Sequence, residues 1–375
     1  MLSMVQRYKI IDNWQLIIDI YFVLLQPKSN RTVSDFPIIL LQWFRENGRE
    51  LPWRETQDPY AIWLSEIILQ QTRIEQGRPY WERFMKRWPT VETLAAASED
   101  EVLREWQGLG YYSRARNLHA AAKQVVAQGG FPNTLEGIKA LKGVGEYTAA
   151  AIGSFAFGLP AAVVDGNVYR VLSRHFGIDT PINSTEGKKT FAALAQSLLP
   201  ASSADYNQAL MDFGAVQCTP TSPRCGDCPL VESCVALREG RIAELPVKLK
   251  TLKVQERHLT YIYIRYNGQT AIRRRPAGDI WQGLYEPLLI EVRGEMREVR
   301  EMLRAAGILL PLTSHLLPLK RNVKHVLTHR VLYADFWLWE TNEQPTLPEG
   351  YFWIDEVDID RYAVPRLVEI LLNDI

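Results

Sequence analysis

From about Phe36 to Ala236 apolar residues recur at helical spacing, and alternating β-branched runs are few, so this stretch is predicted to be all-α. Asp58 and Pro59 form an N-cap and first-turn proline ahead of Tyr60-Ala61-Ile62-Trp63-Leu64-Ser65-Glu66. Ser98 and Glu101 have capping-box spacing at the start of another helix. Tyr147 to Val164 carries no charge and approaches the length that spans a bilayer. It is rich in Ala and Gly and is cut by Gly158-Leu159-Pro160, which predicts a buried helix and a short turn. The pattern changes after Ala236. Arg241 to Arg257 is polar, with Pro246 and several lysines, and reads as a linker. Leu259 to Tyr266 is strand-like and runs into Asn267-Gly268, a hairpin signal. Ala271–Arg275 and Val331–Trp339 are further predicted strands, and Glu295–Ala306 and Arg361–Leu372 predicted helices. The expected organisation is an extension of no assigned role (1–34), a helical domain (35–236), a linker (237–256) and a separate α+β domain (257–375).

At roughly 150 residues per domain, 375 residues predict two or three domains. Lys and Arg number 43 and Asp and Glu 43, which excludes a globally basic nucleic-acid binder but leaves room for local basic surfaces. Trp106–Leu135 is free of acids and carries Arg114, Arg116, His119 and Lys123; Met302–Ala334 is another such stretch and carries three of the six histidines. The apolar run Ile10–Leu25 is interrupted by Asp12 and Asp19, so it lacks a signal-peptide layout. The expected location is the cytoplasm.

All four cysteines fall between Cys218 and Cys234, as Cys218-x6-Cys225-x2-Cys228-x5-Cys234. A disulfide framework would be spread along the chain; this clustering points to a metal site in a reducing compartment. Four thiolates can hold one iron–sulfur cluster or one zinc, and the six-residue first gap fits paired zinc ligands poorly. Leu141-Lys142-Gly143-Val144-Gly145 joins a short helix near 135–140 to the charge-free helix. Two glycines around a buried valine allow a tight turn whose amides can approach a phosphate, the layout of a helix–hairpin–helix (about 135–157). Tight helix packing is the commoner cause of such glycine pairs, and the position of this one is what raises the hairpin reading.

Two carboxylates stand out. Glu66 sits in an apolar helix with Ile62 and Leu69 on its face; burial would keep it protonated, as a general acid requires, whereas an exposed Glu66 would pair with Gln70 or Arg73. Asp165 follows the apolar, strand-like Ala161-Ala162-Val163-Val164 and reads as a helix N-cap, yet a charged carboxylate there can also stabilise a cation. A neutral Glu66 and a charged Asp165 form a split pair suited to glycoside chemistry.

Leu51-Pro52-Trp53-Arg54, Ser65-Glu66-Ile67-Ile68-Leu69-Gln70-Gln71-Thr72, Gly108-Leu109-Gly110-Tyr111-Tyr112, Leu141–Gly145, Val164-Asp165-Gly166-Asn167-Val168 and the cysteine quartet occur in this order. Together they resemble the MutY family of adenine DNA glycosylases, in the helix–hairpin–helix superfamily that includes endonuclease III. The resemblance is dense over about 36–236 and looser in the tail. It implies removal of adenine mispaired with 8-oxoguanine or guanine in duplex DNA, by base flipping, in a monomer that carries a 4Fe–4S cluster on Cys218, Cys225, Cys228 and Cys234 (loop 218–234). It implies Glu66 as the acid that protonates adenine N7, Asp165 as the stabiliser of the sugar cation and Asn167 as a placing residue. Tyr147 falls where bifunctional relatives carry a Schiff-base lysine, which implies a monofunctional enzyme. Gln71 and Tyr111 match residues that wedge into the duplex, Gly143 and Gly145 the DNA-binding hairpin, and Arg54 and Gln208 positions near the adenine.

The tail resembles the family's 8-oxoguanine-reading domain, related to Nudix hydrolases, with Asp279–Glu286 the best local match. Arg297-Glu298-Val299 and Glu301 fit the Nudix box, but Leu289 and Met302 replace carboxylates and Arg304 a glycine, so the fold is expected without the hydrolysis. Thr328 and His329 match the base-edge-reading residues, and Leu327 stands where the family has an aromatic. Two other readings are a bifunctional glycosylase/lyase for oxidised pyrimidines, which Tyr147 and the tail oppose, and a non-catalytic lesion binder with structural carboxylates.

Overall fold

Helices form where apolar residues recur every three to four positions. The computed structural model describes residues 35–249, 254–291, 296–305, 307–308 and 315–375. The extension 1–34 and the centre of the predicted linker lie outside the described residues. In chain order the helices are α1 (Phe36–Asn47), α2 (Pro59–Ile68), α3 (Ile74–Arg87), α4 (Val91–Ala96), α5 (Glu99–Trp106), α6 (Ser113–Ala127), α7 (Leu135–Lys139), α8 (Glu146–Phe157), α9 (Gly166–Phe176), α10 (Thr185–Ser197), α11 (Ser203–Asp212) and α12 (Val235–Arg238). The start signals are used as read. Asp58 Oδ1 accepts from the Tyr60 amide at 3.0 Å, and Ser98 and Glu101 close a reciprocal capping box. The charge-free stretch is α8, ended by Gly158 in the left-handed region at φ 64°. Among the described residues no helix is long and apolar enough to cross a membrane.

Ala161–Val164 reads as a strand but is irregular chain. Asn207 takes the place of a neighbouring strand: its Oδ1 accepts from the Val163 amide at 3.0 Å and its Nδ2 donates to the Ala161 carbonyl at 2.8 Å.

Packing divides the chain into two compact units that differ from the sequential division. One takes the described residues up to Ile67 and from Gln128 to about 249; the other takes Ile68–Ala127 and the tail. The first closes on Phe36, Leu40, Leu172, Phe191, Tyr206 and Phe213. In the second, α3 and α5 meet edge to face through Phe84 and Trp106, ring centres 5.8 Å apart. The same unit ties the tail to these helices through Tyr285 Oη to Asp100 at 2.9 Å and Gln107 Nε2 to Glu369 at 2.8 Å.

The tail holds β1 (Gln255–Arg265), β2 (Gln269–Arg274), β3 (Tyr285–Glu286), β4 (Leu288–Ile290), α13 (Met296–Ala305), β5 (His315–Val326), β6 (Arg330–Glu340), β7 (Tyr351–Asp355) and α14 (Arg366–Leu372). One sheet has the order β4-β1-β6-β5, with β1 and β6 parallel, and the other β3-β2-β7. Asn267 and Gly268 make the expected tight turn, both with positive φ. Beyond the Tyr266–Gln269 bridge the two strands part into different sheets, because β4 and β6 already occupy both edges of β1. The predicted helix Arg361–Leu372 begins only at Arg366: Pro365 is its extended N-cap, and a proline ring is excluded from a helix interior. Glu286, at the end of the Nudix-like match, is fully buried and held by Arg273 at 2.9 Å and by Arg275.

Candidate active site

Glu66 occupies the last turn of α2, among the buried Trp63, Leu64 and Ile67, and is 9% exposed. The alternative of a surface Glu paired with Gln70 or Arg73 is thereby removed. Tyr147, from the first turn of α8, donates its hydroxyl to Glu66 Oε2 at 2.9 Å. Burial pushes the Glu66 carboxyl up to about 7; the Tyr147 bond pulls it down, the Asp165 charge pushes it up and the Arg54 guanidinium pulls it down. The folded chain therefore binds this proton more tightly than the unfolded chain. The associated stabilisation is present below about pH 4.5 and is lost as pH rises through about 7. A reaction that draws on this proton slows as pH climbs past about 7. Replacing Tyr147 by Phe removes a bond that favours the carboxylate. The alkaline limb of the pH–rate profile is expected to move up by about one pH unit or more, since a bond to a charged group is worth about 1.5–3 kcal/mol. An unmoved or lowered limb contradicts this electrostatic assignment.

Asp165 caps α9: Oδ1 accepts from the Val168 amide at 2.7 Å. Its other oxygen accepts from Asn167 Nδ2 at 2.8 Å. Arg170 then donates to Asn167 Oδ1 at 2.9 Å, to the Gly214 carbonyl at 2.6 Å and to the Cys218 carbonyl at 2.7 Å. A continuous set of bonds thus runs from Asp165 to the backbone of the first cysteine. Burial raises the Asp165 carboxyl above its ordinary value, and the Val168 and Asn167 donors and Arg170 offset this only in part, so both carboxyls of the expected split pair are shifted upward. Gly214 permits the close approach, because a Cβ there would lie 2.6 Å from that of Asn167.

Arg54 is anchored rather than free. Its guanidinium binds both oxygens of the fully buried Asp212, at 2.8 and 2.7 Å, and Arg49 binds the same carboxylate. Burial raises the Asp212 carboxyl, but the two arginines outweigh it and hold the group below its usual value. Neither Asp212 nor Arg170 is visible as a site residue in the sequence; the three-residue spacing of Asn167 and Arg170 on one helix face is the only local hint. Gln208 is half-buried on α11, one turn before Asp212.

In the turn between α7 and α8, Leu141 and Val144 are buried while Lys142, Gly143 and Gly145 are exposed. Gly143 has φ 76°, and Gly145 is the N-cap of α8 with open space beside its Cα. A helix start of this kind is where backbone amides favour an anion.

The second unit gathers another group. Gln71 and Tyr111 both hold left-handed backbone, φ 57° and 47°, which is uncommon for residues other than glycine. Tyr111 is 48% exposed, so it is no core aromatic, and its hydroxyl meets Thr328 Oγ1 at 2.5 Å across 217 positions of sequence. Thr328 and the exposed His329 form the tip of the β5–β6 hairpin, closed by the Leu327 amide on the Arg330 carbonyl at 2.8 Å. Tyr111, Trp281, His325, Leu327, Thr328 and Arg366 border a pocket of about 660 Å³.

The four cysteines are half-buried. Burial pushes the Cys228 thiol up to about 12, and Cys218, Cys234 and Cys225 push it the same way, so the four lie within electrostatic reach of one another. Arg174 Nη1 approaches Cys218 Sγ at 3.5 Å. Among the described residues no three His, Cys, Asp or Glu side chains are placed to hold a metal ion.

Residues 64–198 match the HhH-GPD superfamily of base excision DNA repair proteins, and residues 260–374 match the NUDIX domain. The adenine DNA glycosylase of Buchnera aphidicola (from Schizaphis graminum) is 33% identical over 258 residues, 68% of this chain and 74% of that protein. The human adenine DNA glycosylase is 44% identical over 216 residues, 54% of this chain and 40% of its own length. A thermostable thymine-DNA glycosylase of known structure is 31% identical, with a TM-score of 0.52, and is covered over its whole length by 57% of this chain.

Proposed function

Because this chain belongs to the adenine DNA glycosylase family, we propose that it excises adenine mispaired with 8-oxoguanine, or with guanine, in duplex DNA and leaves an abasic site. The observation that carries the reading is a buried carboxyl, Glu66, bonded to Tyr147 and within electrostatic reach of Asp165. The adenine is flipped from the stack, since its glycosidic bond is inaccessible inside a duplex. Glu66 donates its proton to adenine N7. The bond from the sugar to the base then breaks with its electron pair leaving on the base. Asp165, held by Val168 and Asn167, faces the positive charge that develops on the sugar, and water completes the hydrolysis. Tyr147 has no amine with which to form a Schiff base, so strand cleavage does not follow.

The turn at Gly143 and Gly145 grips backbone phosphate, Gln71 and Tyr111 wedge into the duplex, and Thr328 and His329 read the base opposite the adenine. The chain acts as a monomer in the cytoplasm. Cys218, Cys225, Cys228 and Cys234 hold a 4Fe–4S cluster. The six-residue first gap of the quartet fits paired zinc ligands poorly, which supports a cluster over zinc. Bound there, the cluster would brace the loop 218–234, to which Arg170 and Arg174 attach. Purified protein should be brown and contain iron and sulfide; colourless protein containing zinc overturns this assignment.

The decisive experiment is single-turnover excision on labelled duplexes with adenine opposite 8-oxoguanine, guanine or thymine, with and without alkali afterwards. Excision opposite 8-oxoguanine, with breaks only after alkali, is the expected result. Failure to release adenine supports the lesion-binder reading, and breaks without alkali at oxidised pyrimidines support the lyase. Changing Thr328 and His329 together to Ala should reduce the preference for 8-oxoguanine over guanine by about 10-fold, given about 1–3 kcal/mol for a good base-edge contact. An unchanged preference refutes their role.

A further inference from the structure

Arg114, in the first turn of α6, is 9% exposed. One of its terminal nitrogens donates to the carbonyls of Ile68 and Gln70, at 3.0 and 2.6 Å. The other donates to those of Leu109 and Gly110, at 3.4 and 3.3 Å. The Gln70 and Gly110 carbonyls belong to the peptide planes that lead directly into Gln71 and Tyr111, the two left-handed residues. Turning either residue back to ordinary φ rotates that plane against its own side chain, so a grip on the carbonyl is a grip on φ. Trp106 Nε1 gives the Gly110 carbonyl a second donor at 3.0 Å. The guanidinium also lies 5.1 Å from the Trp106 ring centre and 5.5 Å from that of Tyr111.

We propose that Arg114 is a positioning residue which couples the two wedge residues, holding Gln71 and Tyr111 together in the conformation that enters the duplex. The proposal rests on the wedge roles given above. One planar fork reaches both turns at once, so a single side chain links the two wedge residues, with Trp106 as a second hold on the Gly110 carbonyl. Lysine keeps the charge but lacks the fork.

The test is single-turnover excision of adenine opposite 8-oxoguanine by Arg114→Lys and Arg114→Gln. Each is made in the parent and in a Gln71→Ala/Tyr111→Ala background, with thermal unfolding of every variant. Arg114→Lys is expected to slow excision about 100-fold in the parent, the scale of a small misplacement of a positioning group. In the doubly truncated background it should change the rate by no more than about 2-fold, because nothing remains to be positioned. Equal slowing in both backgrounds overturns the proposal and makes Arg114 an independent structural residue. Loss of cooperative unfolding in both Arg114 variants overturns it as well, since the residue then supports the whole unit. A Gln71→Ala/Tyr111→Ala protein that excises at the parent rate refutes the wedge reading itself, whatever the Arg114 variants do.

Discussion

Glu66→Gln should bind a duplex containing adenine opposite 8-oxoguanine and release almost no adenine. The amide is close in size to the carboxyl and fits the same buried turn of α2, so the fold and the bound complex should persist. It has no acidic proton to give to the base. General acid catalysis contributes about 100- to 10,000-fold, and a single-turnover rate reduced by that range is expected beside unchanged duplex affinity. Tyr147 is relevant to the stability of this variant: its hydroxyl donates to Glu66 Oε2 and can donate equally to the amide oxygen of Gln. Continued excision would remove Glu66 as the acid and leave the buried carboxyl as a structural group.

Asp165→Asn is the second large effect, and it separates two roles that coincide in one side chain. Asn caps a helix about as well as Asp, so the bond to the Val168 amide can be retained. The second bond, from Asn167 Nδ2, is lost because an amide has one acceptor oxygen, so thermal stability is expected to fall by about 1–3 kcal/mol. The negative charge is lost, and with it the stabilisation of a cationic sugar. Removing one preorganised electrostatic partner typically costs about 100- to 1,000-fold in rate, and a loss of that order is expected. If the variant excises at the parent rate, Asp165 is a cap alone. If it unfolds early and excises normally per folded molecule, the cap is again the whole of its function. The Asn167–Arg170 bonds beyond it make Asp165 sensitive to the cysteine loop, since Arg170 joins Asn167 to the Cys218 carbonyl.

Several features were legible because they are local. The capping box at Ser98, the cap and proline at Asp58-Pro59 and the tight turn at Asn267-Gly268 each involve residues within a few positions of one another. Their chemistry is therefore written in short words of sequence. The burial of Glu66 was also readable, since apolar residues flank it on its own helix. Errors arose where a neighbour distant in sequence decided the outcome. Ala161–Val164 has the composition of a strand, yet Asn207 supplies its hydrogen bonds from α11. β1 and β2 look like a plain hairpin, yet β4 and β6 claim the two edges of β1. The start of the last helix was misplaced for a local reason, the proline at position 365.

Composition and motif order by themselves determined the class of this protein: a helical glycosylase region followed by an α+β tail, with two carboxylates of different surroundings and a thiol quartet. Short-range spacing is enough for that, because helix caps, turns and buried faces are set within a few residues. Only the tertiary structure decided which groups act together. Asp212 binds Arg49 from 163 positions away, and Thr328 reaches Tyr111 across 217. The fork of Arg114 joins carbonyls that lie on two separate turns. A hydrogen bond depends on distances of a few ångströms and on direction, and chain order does not encode either until the core has packed.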